Sequence, residues 1–105
     1  MAWAVLILAG LLEVVWAFAM KQSAGFTRAG WTALTGVALV GSMALLSVAM
    51  RSLPLGTAYT IWTGIGAIGA FVLGIIVLGE AATPLRIVAA VMIVGGLALM
   101  KLASP

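Results

Sequence analysis

Apolar positions along this chain fall into four long runs parted by short polar stretches. They predict membrane helices over about residues 2–20, 31–50, 57–78 and 85–102. A helix needs about 20 residues to cross the hydrocarbon core, so the fourth run is slightly short. Arg86 and Lys101 at its ends can snorkel outward to make up the difference. The connectors carry turn residues. KQSAGFTRAG has two glycines and two cations, RSLPLG a proline and a glycine, and GEAATP ends in Thr83-Pro84, the pattern of a helix start. An open strand edge cannot sit in lipid. The expected fold is therefore an all-α membrane protein, residues 1–105 forming a single four-helix transmembrane domain.

Composition sharpens this reading. Of 105 residues, 66% are hydrophobic and 7% are charged, where a soluble domain has about a quarter charged. The mean hydropathy is +1.36. The basic residues are scattered singly, so the net charge of +3 marks no nucleic-acid partner. With no cysteine or histidine, disulfides, thiolate chemistry and most metal sites are set aside, and any pH response near neutrality falls to a carboxylate. No nucleophile–base pair or phosphate loop points to an enzyme or a cofactor. The apolar N-terminus lacks a basic leader and runs on to Met20, which reads as a first membrane helix rather than a signal peptide. Arg51 and Lys101 fall on one side of the membrane and Lys21, Arg28 and Arg86 on the other. So small a bias predicts dual topology, with copies inserted both ways up.

One carboxylate, Glu13, lies inside the first span. An ionised acid at mid-membrane costs at least ~2.5–3.5 kcal/mol, and such groups face a bundle interior or a wet cavity. Its helical neighbours are Ala9, Gly10, Trp16 and Ala17, a nearly bare face with room for a ligand. The plainer reading is a protonated carboxyl hydrogen-bonded to another helix.

On the third span, Tyr59 and Trp62 share a face. Tyr59 alone fits an interfacial anchor, whereas Trp62 is about a turn deeper and adjoins glycines, as a cavity wall would. Ser42 sits midway along the second span, where a serine usually bonds its own backbone. Gly64, Gly66 and Gly69 match a dinucleotide-binding spacing but lie inside the uncharged stretch 52–79 with no strand before them. They read instead as close helix packing, with Gly64 and Gly66 a point where the helix can bend. Gly95-Gly96 in the fourth span reads as a packing surface between helices.

The mid-helix Glu13, KQSAGFTR, LPLGTAYTIW and the glycine-rich third span together resemble the small multidrug resistance family over nearly the whole chain. EVVWA and IWTGIGA resemble more narrowly its guanidinium-exporter subtype. The resemblance implies an antiparallel homodimer in the bacterial inner membrane that exchanges protons for guanidinium ion. It implies that Glu13 binds proton or substrate, that Trp16 and Ser42 orient the carboxylate, that Tyr59 and Trp62 wall the cavity, and that Gly10 makes space beneath the ligand.

Three rival readings share some of these features. A multidrug exporter of quaternary ammonium cations needs a wide aromatic cage, and Trp16 fills space such a ligand requires. A proton-conducting rotor subunit usually carries its acid on the second helix of a hairpin. An accessory membrane subunit would use Glu13 only as glue.

Overall fold

The computed structural model describes residues 1–104, in which four helices follow one another: α1 Ala2–Gln22, α2 Ala29–Ala49, α3 Leu55–Ile76 and α4 Pro84–Ala103. Each is long and apolar enough to cross a membrane. At 1.5 Å per residue each spans about 30 Å, the depth of the hydrocarbon core. Their ends lie within two residues of those expected from hydropathy. The fourth helix corrects the expectation of a short span, since it has 20 residues. Thr83 Oγ1 accepts the Arg86 N–H at 3.3 Å and Pro84 occupies the first turn, so the helix begins at the proline. The other three start with no side-chain cap. In lipid the helical ladder is enforced by the absence of water, which leaves caps less to do.

The α1–α2 connector is a compact turn built on Ser23, which is fully buried. Its hydroxyl donates to the Met20 carbonyl at 2.6 Å and accepts the Phe26 N–H at 3.1 Å. Ala24, Gly25 and Phe26 all have positive φ, between 51° and 73°. For alanine and phenylalanine that conformation is strained, and Ser23 holds it in place.

α1 packs on both α2 and α3, while the backbone of α4 approaches α3 alone. The result is a slab of 42 × 34 × 16 Å, only about one and a half helix diameters thick. The core consists of Leu6, Ala9, Leu46, Ala49, Ala58, Ile61 and Trp62. These come from the start of α1, the end of α2 and the start of α3, so the core occupies one end of the bundle. α4 contributes no buried residue. A Cβ at its Gly95 or Gly96 would meet nothing within 4 Å, so the packing surface expected there is unused within the chain. Two contacts secure its far end: Lys101 Nζ lies 4.7 Å from the Trp3 ring centre, and the Thr57 and Ser104 hydroxyls are 3.3 Å apart.

Candidate functional site

Glu13 stands about halfway along α1 and faces α3, at the edge of the core. Its carboxyl rests against the backbone of Gly66, where any Cβ would collide with it. Gly69 receives Val14 in the same way, and Gly64 receives Leu97 from α4. These glycines let side chains of two neighbouring helices approach the α3 backbone closely. α3 runs as an unbroken helix through Gly64 and Gly66, so in this conformation they serve as seats rather than as the expected bend. Gly10 also differs from expectation. A Cβ there would lie 2.7 Å from Ile65 Cγ2, so the space it provides is already filled by α3.

A second cluster joins three helices through one hydroxyl. The Trp62 indole N–H donates to Ser42 Oγ at 2.9 Å, and the Ser42 O–H donates to the Ala9 carbonyl at 2.7 Å. Ser42 is fully buried and Trp62 nearly so. A hydroxyl has a single hydrogen to give, and here it goes to Ala9, one turn before Glu13. In this conformation Ser42 therefore ties α3, α2 and α1 together and does not orient the carboxylate.

Trp16 departs from expectation in a similar way. Its indole nitrogen is buried without a hydrogen-bond partner among the described residues, and so is Glu13 Oε1. The indole does not hold the carboxylate in this arrangement. A buried donor and a buried acceptor stand about one helical turn apart, and neither is satisfied. Leaving such a group unpaired costs about 1–3 kcal/mol, and native proteins hold few of them.

Tyr59 and Trp62 do touch, with ring centres 5.5 Å apart and planes tilted by 48°. Beyond that contact they part. Trp62 points into the three-helix core, while Tyr59 is half-exposed. With Thr63 and Gly64, Tyr59 lines a groove of about 550 Å³ whose other wall is Gly96, Leu97 and Met100 of α4. Within one chain the two aromatics thus face different spaces.

On the side of Glu13 away from the core, a cavity of about 320 Å³ opens between α1 and α3. Ala17, one turn beyond Glu13, and Ala67, next to Gly66, line it together with Phe18 and Phe71. Lys21, Glu80 and Arg86 line its outer part. The Arg86 guanidinium is 3.8 Å from Glu80 Oε1 and 5.0 Å from the centre of the Phe71 ring.

Reading the sequence missed several of these groups. Ser23 could have been suspected, as a small polar residue between a helix end and a glycine. The Ala9 carbonyl, the Gly66 seat and the meeting of Glu80, Arg86 and Phe71 depend on helix rotation and leave no local trace.

The family described as Small Multidrug Resistance protein matches residues 1–94. Proteins called guanidinium exporter are similar over 99% of this chain and 99% of their own length. That of Escherichia coli (strain K12) is 51% identical over 104 residues, and those of Citrobacter freundii and Salmonella typhimurium are 52% identical. With four membrane-length helices, one partly buried carboxylate set between two of them, and matches that run almost end to end, this chain belongs to the small multidrug resistance family.

Proposed function

We propose that this protein exports guanidinium ion across the bacterial inner membrane in exchange for protons, with Glu13 binding either one. The observation that carries this reading is the unsatisfied pair at mid-membrane. Glu13 Oε1 offers an acceptor and Trp16 Nε1 a donor, and neither has a partner among the described residues. Guanidinium is planar, rich in N–H donors and free of acceptors, so it is drawn to a carboxylate. An indole N–H can only donate. Trp16 therefore cannot hydrogen-bond the cation; on this reading it holds one carboxylate oxygen in the loaded state while the substrate takes the other.

The wider assignment follows the same chemistry. Tyr59 and Trp62 would offer ring faces to a desolvated cation, whereas Gly10 and Ser42, packed here against Ile65 and the Ala9 carbonyl, would border the substrate once the helices shift. In one chain Tyr59 and Trp62 face different spaces, and the slab is too thin to surround a ligand. Two copies in opposite orientation would bring their Glu13 faces together. Such an antiparallel homodimer, each protomer in a different conformation, faces the other way when the two conformations are exchanged. The even spread of Lys21, Arg28 and Arg86 against Arg51 and Lys101 suits insertion in both orientations. The whole chain acts as one domain, as a transporter and not an enzyme, and needs no metal or cofactor.

Coupling comes from competition. A carboxyl that holds a proton has lost the charge that attracts guanidinium, and a carboxylate that holds guanidinium has no place for a proton. If the protein changes facing only when loaded, an inward proton gradient drives the cation out. Two measurements test this. In proteoliposomes, Glu13→Gln should abolish proton-driven guanidinium flux while quaternary ammonium ions give little current in the unaltered protein. In calorimetry, guanidinium binding should release protons, and release should shrink as the buffer is made more alkaline. Coupled flux retained by Glu13→Gln would reject the mechanism.

A further inference from the structure

We infer that the rim of the α1–α3 cavity is a second, weaker guanidinium site, now held by the protein's own Arg86. This rests on the proposed substrate and deepens it. Arg86 carries the same planar head group as the free ion. Its surroundings show what the rim offers to such a head. Arg86 Nη2 is 3.8 Å from Glu80 Oε1, Arg86 Nη1 donates to the Ala81 carbonyl, and the guanidinium carbon lies 5.0 Å from the Phe71 ring centre. A carboxylate, a carbonyl and an aromatic face are the three kinds of group that bind a guanidinium.

The seat is built by the backbone as well. The Glu80 N–H donates to the Gly74 carbonyl at 2.9 Å, which folds the α3–α4 connector back under α3. Gly79, with φ of 69°, makes that reversal. The Glu80 carboxyl then drops against Gly74, where a Cβ would strike it. Glu80 is thus placed by the main chain, independently of Arg86. The Arg86–Glu80 pair itself is loosely held, with both side chains about 40% exposed, and exposed pairs are weak. A free guanidinium can take the seat when Arg86 swings out, and the charges of Arg86 and Lys21, which stay beside it, keep the site weak.

The position gives the site a use. The cavity runs from Ala17, one turn beyond Glu13, and Ala67, next to Gly66, out to Lys21, Glu80 and Arg86. A cation that passed from Glu13 beyond Ala17 into this cavity would meet Glu80 at its end. Phe71 reaches the cavity wall while also supporting Arg86, so displacement of Arg86 and passage of substrate involve the same ring.

Titration of guanidinium chloride into Glu13→Gln protein tests this, read by the backbone amide resonances of Gly74, Glu80 and Ala81. Sodium chloride and sodium phosphate at equal ionic strength are the controls, and the same spectra report folding. Saturable shifts are expected with guanidinium only. Glu80→Gln should abolish them, and Arg86→Ala should tighten binding roughly two- to fivefold, the gain from removing a weak tethered competitor. Shifts equal to those with sodium chloride, or unchanged by Glu80→Gln, overturn the site. Shifts driven by phosphate instead would mark the rim as an anion site on Lys21 and Arg86, which also overturns it. Guanidinium flux in the unaltered protein separates the two ideas. Flux without rim shifts sinks only this inference, while absence of flux sinks the central reading.

Discussion

Replacing Ser42 by alanine tests whether one hydroxyl joins three helices. The change removes the acceptor of the Trp62 indole N–H at 2.9 Å and the donor to the Ala9 carbonyl at 2.7 Å. The Ala9 carbonyl keeps its place in the α1 ladder, so its loss is small. The indole N–H, in a side chain only 7% exposed, is left without an acceptor. Bonds between membrane helices are worth about 0.6 kcal/mol on average and up to about 1.7, while an unsatisfied buried donor costs about 1–3 kcal/mol. Together these put the destabilisation near 2 kcal/mol. Trp62→Phe removes the same bond from the other side, with an added packing loss. The two changes should therefore be non-additive, with a coupling of about 1 kcal/mol in a double-mutant cycle. Reversible unfolding in detergent micelles, followed by circular dichroism, measures each corner. Additivity to within about 0.3 kcal/mol would show that the bond does not contribute, and the account of Ser42 as a three-helix tie would fall.

Three further outcomes are expected. Gly66→Ala should displace the Glu13 carboxyl. The helix gains up to about 1 kcal/mol from the alanine, and overpacking costs about 1–3 kcal/mol. Stability should therefore change modestly while guanidinium affinity falls sharply. Fluorescence titration beside thermal unfolding compares the two, and unchanged affinity would refute the seat. Thr83→Ala should cost α4 its cap, about 1 kcal/mol. That would appear as faster hydrogen exchange at the Arg86 amide, and unchanged exchange there would argue against the cap. Trp16→Gly should leave the chain folded but blur discrimination between guanidinium and bulky quaternary ammonium ions. An unaltered substrate profile would remove Trp16 from the site.

The spans could be read from sequence because lipid leaves the backbone one choice, and hydropathy alone marks where it applies. Glu13 stood out for the same reason, as the one charge inside an apolar run whose length did not yield to it. What could not be read was rotation. Spacing places Trp62 and Tyr59 on one face of α3, which is correct, since their rings touch. Spacing does not say that α1 and α2 cover Trp62 while Tyr59 turns toward α4. Ser42 was assigned to Glu13 by resemblance, yet its hydrogen goes to a main-chain oxygen that no side-chain pattern reveals. The glycines of α3 were rightly read as places of close approach, but which side chain each would receive is decided by helix register. The bend expected at Gly64 and Gly66 concerns motion, whereas α3 here is a single continuous helix.

The backbone of α4 approaches α3 alone, and α4 supplies no buried member of the core, only Leu97 and Met100 packed against it; the buried members all precede Met50 or lie in the first half of α3. During synthesis the ribosome therefore delivers every buried member of that core before the last hydrophobic segment has emerged. The first three segments can settle against one another while α4 is still being translated. That order of arrival makes α4 a late addition, which closes over its predecessors by setting Leu97 against Gly64 and Lys101 over Trp3.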